Sequence, residues 1–412
     1  SVWLESHSAM SVLNDYETII RRLVEELGYT CSEVKHVLET QYGIERGAST
    51  SSIYQFCAAR DIHRYDYSRL GREGVNAIVA AVTRSGPVCG RKVMTGMLRA
   101  AGFRLGERSV RQAQILMKPV YTQMRREGTA SQMNPHVYPT EYVGQQLYMD
   151  QNEKLNDFGV TEVLASDSFS GKILGFSVMP IKNNLTIYDE IYRDICLKHG
   201  LFDQLSVDYS KEFYLCLYQQ DNLQAHRTNI NRPPYIQSES RQNQEAERKW
   251  VEINARVNDP IKHALCSMTS DGLLDIDDLC TKFCVSSFAR RCCTTGIDNL
   301  IPALNAHTIS RQGIPDVLFA NHLKAARITE DLLPPANVLA ADYIRHGGSL
   351  THPEVFGNDP LDGQLDLQQQ REDIFSTHYP SFENIFYSAV NGHYKVFKDA
   401  LLTYIDITQR MS

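Results

Sequence analysis

Residues 205–254 read LSVDYSKEFYLCLYQQDNLQAHRTNINRPPYIQSESRQNQEAERKWVEIN, and the prediction of the fold starts from the acids in this stretch. A short apolar run ends on an acid, Asp208, and another acid, Glu247, follows in a segment with helical spacing. Upstream, the run Leu147-Tyr148-Met149 ends on a third acid, Asp150. Strand ends and a helix that deliver carboxylates supply the oxygen ligands that Mg²⁺ and Mn²⁺ prefer. The pattern predicts a site where two such ions clamp the attacking and leaving oxygens of a phosphodiester.

The three acids are separated by 58 and 39 residues along the chain. Four sequence motifs, three of which each contain one of these acids, carry a family resemblance. They are YMDQNEKL at 148–155, DSFSGKILGF at 167–176, DYSKEF at 208–213 and NQEAER at 243–248. Over about residues 72–315 the chain resembles the DDE integrases and transposases, in particular transposon-type proteins with an integrase core. The resemblance implies an α/β core of ribonuclease H-like type, a five-stranded mixed sheet with helices on both faces. All-α helix-turn-helix segments would precede this core, and a helical C-terminal region would follow it.

The resemblance also implies an enzyme, a DNA integrase or transposase that cleaves and joins strands. Asp150, Asp208 and Glu247 would be the catalytic residues and would hold two Mg²⁺ or Mn²⁺ ions. The expected partners are double-stranded DNA, as element ends and target, and further copies of the chain, because two ends must be joined together. Two alternatives stay open: an inactive DNA-binding protein that keeps the fold, and a ribonuclease H-like nuclease without strand transfer.

One position departs from the family pattern. The family usually has glycine two residues after the second Asp, whereas this chain has Ser210. Glycine there allows a backbone conformation that serine adopts less readily, so Ser210 leaves the inactive alternative open. Glu245 is a rival for the third acid, but two residues from Glu247 it points elsewhere on a helix. Asp167 also ends a strand, and its counterpart in the family is structural, so it is excluded from the site.

The net charge of −7 hides an asymmetry along the chain. Residues 60–126 hold fourteen Lys or Arg against four Asp or Glu, and residues 141–260 hold twelve against eighteen. A basic arm ahead of an acidic core suits a DNA-binding module in front of a metal site, although a solvated helical surface gives the same signal.

Helix, turn and helix over residues 90–113 resemble the DNA-binding unit that precedes the core in this family. Residues near the start of its second helix would contact base edges and phosphates of the DNA. The alternative is that these residues contact phosphates alone. On the catalytic core, two polar side chains near Glu247 share the helix that faces the DNA. The predicted DNA-contacting residues are therefore Arg91, Lys92, Arg104, Arg108, Arg111, Gln112, Asn243 and Arg248.

At 412 residues the chain has room for two or three domains. It shows no apolar run of transmembrane length and no signal peptide, and it begins at Ser1, so its true N-terminus can be missing. Ten scattered cysteines indicate a reducing compartment and buried thiols rather than zinc knuckles; a nuclear location is expected. The predicted boundaries are an N-terminal helical segment at 1–70, the helix-turn-helix domain at 71–127, a linker at 128–141, the integrase catalytic core at 142–320 and the helical C-terminal region at 321–412.

Within the core, hydrophobic periodicity predicts four strands and two helices. The strands are expected near 145–151, 161–167, 172–179 and 204–207, and the helices over 186–199 and 212–223. A short apolar segment, Tyr235-Ile236, follows Pro233-Pro234 and precedes the helix that carries Glu247.

Overall fold

The structure, a computed structural model, describes residues 12–44, 46–86, 89–119, 121–122, 140–237, 244–309, 312–351 and 355–412, with the backbone alone at 67, 68 and 244–247. These residues divide into two compact units. The first holds the described residues up to Val82 together with Leu98–Pro119. The second holds Thr83–Met97 and the described residues from Tyr121 onward.

Several helices with described bounds lie before the sheet. They are α1 (Glu17–Arg21, continued by a π-helical turn, Arg22–Glu26), α2 (Cys31–Tyr42), α3 (Thr50–Ala59), α4 (Tyr67–Val82), α5 (Arg91–Ala100) and α6 (Glu107–Met117).

The boundaries of α2 show why the chain forms helices here. The Thr30 hydroxyl accepts a hydrogen bond from the Glu33 amide at 3.3 Å, and the Glu33 carboxylate accepts one from the Thr30 amide at 2.7 Å. This reciprocal capping satisfies two of the amides that a helix start leaves without partners. At the other end Gly43 adopts φ 67°, a left-handed conformation that glycine takes without steric cost.

The second unit is built around one five-stranded sheet. Its strands are β1 (Leu147–Leu155), β2 (Val160–Asp167), β3 (Ile173–Met179), β4 (Leu205–Val207) and β5 (Tyr235–Gln237). Their order across the sheet is β3-β2-β1-β4-β5. β1 pairs with β2, and β2 with β3, in antiparallel fashion, whereas β4 is parallel to both β1 and β5. This mixed sheet with its helices confirms the predicted ribonuclease H-like fold class.

Helices follow the strands on both faces. They are α7 (Asn184–Ile187), a π-helical turn (Tyr188–Arg193), α8 (Asp194–His199), α9 (Tyr214–Asn222), α10 (Gln244–Ile253), a second π-helical turn (Asn254–Asn258), α11 (Asp259–Ser270) and α12 (Leu279–Ala306). The helices of the C-terminal region are α13 (Pro315–His322), α14 (Ala336–Arg345), α15 (Leu365–His378), α16 (Phe382–Val390) and α17 (Tyr394–Met411).

Side chains on the two faces of the sheet have different characters. Leu147, Met149, Leu205 and Val207 belong to a buried apolar core shared with α7, α8, α9 and α14. Because successive strand residues point to opposite faces, Tyr148, Asp150 and Asn152 of β1 lie on the other face. Contacts from α10 and α12 reach this second face, so polar groups on it are enclosed by protein.

Two contacts hold α12 against the sheet. The Asn305 side chain pairs with the backbone of β3, accepting from the Ile173 amide at 2.8 Å and donating to its carbonyl at 2.9 Å. The Ser286 hydroxyl donates to the Gly159 carbonyl, in the turn between β1 and β2, at 2.6 Å. These bonds satisfy backbone groups that an edge strand and a turn would otherwise leave unpaired. None of the helices among the described residues has the length and apolar character needed to cross a membrane.

Candidate active site on β1 and β4

Two of the predicted acids lie on neighbouring parallel strands. Asp150 is the fourth residue of β1, and Asp208 directly follows the last residue of β4. Tyr148 is paired with Ser206, so extending the same register by two residues brings the backbone of Asp150 beside that of Asp208. Adjacent strands are about 4.8 Å apart, which places two carboxylates within reach of one cation cluster.

The Asp208 carboxylate is held by the two residues that flank it in space. It accepts from the Ser210 amide and from the Ser210 hydroxyl, both at 2.9 Å. The Gln151 amide nitrogen donates to the same hydroxyl at 2.6 Å and approaches the carboxylate at 3.4 Å. Tyr209, between the two, remains 63% exposed. The turn therefore fixes the carboxylate and directs the tyrosine ring toward solvent.

The expectation that serine would fit poorly two residues after Asp208 is wrong. Ser210 has φ −69° and ψ 136°, an extended conformation that every residue type adopts. The left-handed region that favours glycine is not used at this position. Ser210 adds a hydroxyl donor that glycine lacks.

Asp150 is held from the helix side. It is 9% exposed, and the indole nitrogen of Trp250 donates to its carboxylate at 3.1 Å. Trp250 is 6% exposed and belongs to α10. The buried indole therefore fixes one oxygen of Asp150 and brings α10 over the middle of β1.

The third acid stays a prediction. Glu247 and its rival Glu245 lie in α10, but their side chains are outside the described part of the structure, as is Asn243 altogether. Among the side chains that are described, no group of three or more His, Cys, Asp or Glu converges as a metal site. Asp150 and Asp208 supply two carboxylates, and the oxygen-only donor set fits a hard divalent cation once a third acid joins them.

A ring of four polar side chains, not predicted from the sequence, lies beyond Trp250 along β1. The Asn152 amide donates to Glu162 at 3.0 Å and to Asn254 at 2.7 Å. The Asn258 amide donates to the same two oxygens, at 2.6 Å to Glu162 and at 2.9 Å to Asn254. We call these four residues the amide–carboxyl ring.

Glu162 is the titratable member of this ring and is 2% exposed. Burial raises the pKa of Glu162 to about 7, while hydrogen bonds from Asn258, Asn152 and Cys293 act in the opposite direction. The carboxyl is therefore poised to exchange its proton near neutral pH. The spacing of Asn254 and Asn258, four residues apart, is the sequence signal that could have indicated a shared polar face.

Asp167, which was excluded from the site, has the contacts of a structural carboxyl. It is fully buried and accepts from the Ser170 amide and hydroxyl, each at 2.7 Å, and from the Gly144 amide at 3.1 Å. Burial raises the pKa of Asp167 against these hydrogen bonds. The carboxyl closes the β2–β3 turn.

Arg104, predicted to contact DNA, is instead bound inside the first unit. Its guanidinium donates to the Asp66 carboxylate at 2.7 Å, to the His63 carbonyl at 2.8 Å and to the Glu25 carbonyl at 2.9 Å. Burial acts to raise the pKa of Asp66, but the hydrogen bonds and charge of Arg104 hold it below its usual value. These contacts assign Arg104 a structural role within the first unit.

The other basic candidates differ in exposure. Arg108, Arg111 and Gln112 are exposed on α6, and Arg248 is exposed on α10. In contrast, α5 begins with an exposed Arg91 and a half-buried Lys92. Within the described residues Arg108 and Arg111 make no ion pair, so their charges face solvent.

Comparison with known proteins gives one family. Residues 137–327 match the family model described as integrase core domain. This range contains all five strands of the sheet together with Asp150, Asp208 and α10. No curated protein matches the chain.

Proposed function

We propose that the chain, whose residues 137–327 match the integrase core domain model, is a DDE integrase or transposase that cleaves and joins DNA strands by two-metal phosphodiester transfer. An integrase core domain carries integrase-type function and DNA binding in general. The observation that supports the specific chemistry is the parallel pairing of β1 with β4, whose register, extended by two residues, brings Asp150 beside Asp208, while Trp250 of α10 donates to Asp150.

Asp150, Asp208 and Glu247 would hold two Mg²⁺ or Mn²⁺ ions. When bound, such ions lower the pKa of the attacking water and neutralise charge on the leaving oxygen. The protein's own part is to fix the carboxylates: Trp250 donates to Asp150, and Ser210 donates to Asp208. Fixed acids need no reorganisation when the reaction begins.

The reaction proceeds in two displacements of the same kind. Water attacks a phosphodiester at the element end, so that a bond from water oxygen to phosphorus forms and the bond to the 3′ oxygen breaks. The freed 3′-hydroxyl then attacks a phosphodiester of target DNA in the same way. Both steps are in-line displacements, so one site serves both and no protein–DNA bond is formed.

DNA would be held by the exposed basic side chains. Arg108, Arg111 and Gln112 on α6 would contact the duplex, and Arg248 on α10 would contact the strand near the reacting phosphate. Joining two element ends requires at least two active sites, so we infer an assembly of several copies that works on nuclear DNA.

Replacement of single acids tests this proposal. Glu247→Gln keeps the size of the side chain but removes a charge, and we expect a loss of cleavage rate of about 1000-fold, or about 4 kcal/mol. Asp150→Asn and Asp208→Asn should behave alike. Glu245→Gln, two residues away on the same helix, is the matched control and should cleave at the wild-type rate.

The assay uses duplex oligonucleotides that end in the terminal inverted repeats of the element, with Mg²⁺ or Mn²⁺, beside a thermal melt of each variant. If Glu247→Gln cleaves at the wild-type rate and Glu245→Gln loses most of its cleavage rate, then Glu245 is the third acid and Glu247 is not. If the wild-type protein binds these duplexes but neither cleaves nor joins them, the chain is a DNA-binding protein that has lost the chemistry.

A further inference from the structure

The amide–carboxyl ring connects the strand of Asp150 to the helix of Glu247. Asn152 belongs to β1 and is paired in register with Glu162 of β2. Asn254 and Asn258 are the first and last residues of the π-helical turn that continues α10. The two amides each donate to the same two oxygens, so the four hydrogen bonds close a ring between the sheet and the helix.

The amide–carboxyl ring extends a row of contacts between α10 and the sheet, and all of these contacts follow one register. Lys249 donates to Ser166 at 2.7 Å, and one residue later Trp250 donates to Asp150. Asn254 lies four residues after Trp250, one helical turn, and its partner Asn152 lies two residues after Asp150 on the same face of β1. Helix and strand repeats therefore match along this contact, and a slip of α10 by one residue would break the two bonds that join helix and sheet, Asn152 to Asn254 and Asn258 to Glu162.

The cost of burying these groups indicates what they supply. A buried carboxyl and three amides contribute less to stability than apolar side chains of the same size would, because their hydrogen bonds only replace those made with water. Buried polar networks instead require one arrangement of partners, since every alternative leaves a donor or acceptor unpaired. The π-helical turn, an irregularity often found at functional sites, supplies two of the four members.

We propose that the amide–carboxyl ring is a positioning device for strand cleavage, which sets the register of α10 on β1 and thereby the distance of Glu247 from Asp150. This inference rests on the proposed function. Asn152, Glu162, Asn254 and Asn258 are positioning residues, and none of them touches the DNA or the reacting phosphate. Because a helix is rigid over one turn, fixing Trp250 and Asn254 also fixes the residue three positions before Trp250.

Two substitutions of Glu162 separate positioning from folding. Glu162→Gln keeps an oxygen that accepts from both amides and so keeps the ring. Glu162→Met has a similar length and is apolar, so it fills the same space without an acceptor. We expect the Met variant to fold and to bind DNA with unchanged KM, but to lose about 100-fold in kcat, the effect of misplacing a catalytic group by about 1 Å. The Gln variant should cleave close to the wild-type rate.

Trp250 provides a second measurement that needs no activity. The chain has two tryptophans, so Trp3→Phe leaves Trp250 as the single emitter. In that background the Met variant should show red-shifted, more readily quenched emission, because Trp250 leaves its buried contact with Asp150. The Gln variant should match the wild-type spectrum.

The outcomes distinguish this inference from the proposed function. Wild-type cleavage and wild-type emission in the Met variant would overturn the positioning role, as would equal kcat losses in the Met and Gln variants. If neither the wild type nor any variant cleaves DNA, while the Met variant still shows red-shifted Trp250 emission, the proposed function is refuted. The conclusion that the ring sets the position of α10 on the sheet would then still hold. If the Met variant does not fold, Asn152→Ala removes two of the four hydrogen bonds at a half-buried position and is expected to give the same kcat loss and red shift.

Discussion

Protonation of Glu162 should make the stability of the catalytic unit depend on pH. Its carboxyl is buried at the centre of the amide–carboxyl ring, and the groups that face it are the amides of Asn152 and Asn258 and the thiol of Cys293. Burial raises its pKa from 4.5 to about 7. The native protein therefore binds this proton more tightly than the unfolded chain does.

The direction and the size of the change in the free energy of unfolding with pH follow from that difference in proton affinity. The full contribution is present below pH 4.5, is lost as the pH rises through 7, and stays lost at higher pH. Each pH unit in this window costs about 1.4 kcal/mol, so the free energy of unfolding should fall by about 3 kcal/mol. Glu162→Gln removes the titration. Its amide nitrogen would replace Oε1, which has no hydrogen-bond partner in the described part of the chain, at a pH-independent cost of about 1–3 kcal/mol.

Urea unfolding followed by Trp250 emission, at several pH values between 4.5 and 8, measures this effect. Wild type should be the more stable protein at the acidic end, and the Gln variant should draw level with it or exceed it at pH 8. The difference between the two proteins is the informative quantity, because other titrating groups cancel in it. A difference that stays constant across this range would refute the reasoning, since Glu162 would then ionise equally in the native and unfolded states.

Three further experiments follow from the contacts in each unit. Arg108→Ala combined with Arg111→Ala should weaken binding to duplex DNA and flatten its salt dependence, by about 0.9 in logarithmic slope for each lost phosphate contact, measured by fluorescence anisotropy. Arg104→Ala should instead lower the melting temperature, because Arg104 and Asp66 form a half-buried ion pair and the loss of its hydrogen bonds costs about 1–3 kcal/mol. Gly96→Ala would place a Cβ 2.2 Å from a backbone carbonyl of α12 and should cost about 1–3 kcal/mol in a thermal melt. Gly90→Ala, whose added Cβ has no neighbour within 4 Å among the described atoms, is its control.

Hydrophobic periodicity located four of the five strands of the sheet but misjudged the end of β1. The strand was expected to end near Gln151, yet it continues to Leu155. The residues after Gln151 are polar, and alternation of apolar and polar side chains is the signal on which such a prediction depends. Asn152 is polar because it faces the buried ring rather than an apolar core, so the pattern failed where the function-related network begins.

Sequence spacing indicates candidate site residues along one element but not the register between elements. Acids that follow short apolar runs can be recognised in a sequence, and Asp150 and Asp208 were chosen in this way, although Asp150 lies in the middle of the nine-residue strand β1 rather than at its end. The bond from Trp250 to Asp150 joins residues 100 positions apart, and sequence spacing does not give that register. Arg104 shows the same limit. A stretch rich in basic residues gives the same sequence signal whether its arginines contact DNA or form an ion pair with an acid such as Asp66, which lies 38 residues earlier.

Ser210 bears on whether the chain is an active enzyme. A residue other than glycine at this position would indicate an inactive site only if the turn required a left-handed backbone. The turn is extended instead, at φ −69°, and Ser210 contacts both oxygens of Asp208, through its amide and its hydroxyl. Glycine could supply the amide alone, so the substitution adds a hydrogen bond to the carboxylate and introduces no strain. The departure from the family pattern therefore gives no support to an inactive copy, and the choice between enzyme and DNA-binding protein falls to the cleavage assay on Glu247 and its neighbour Glu245.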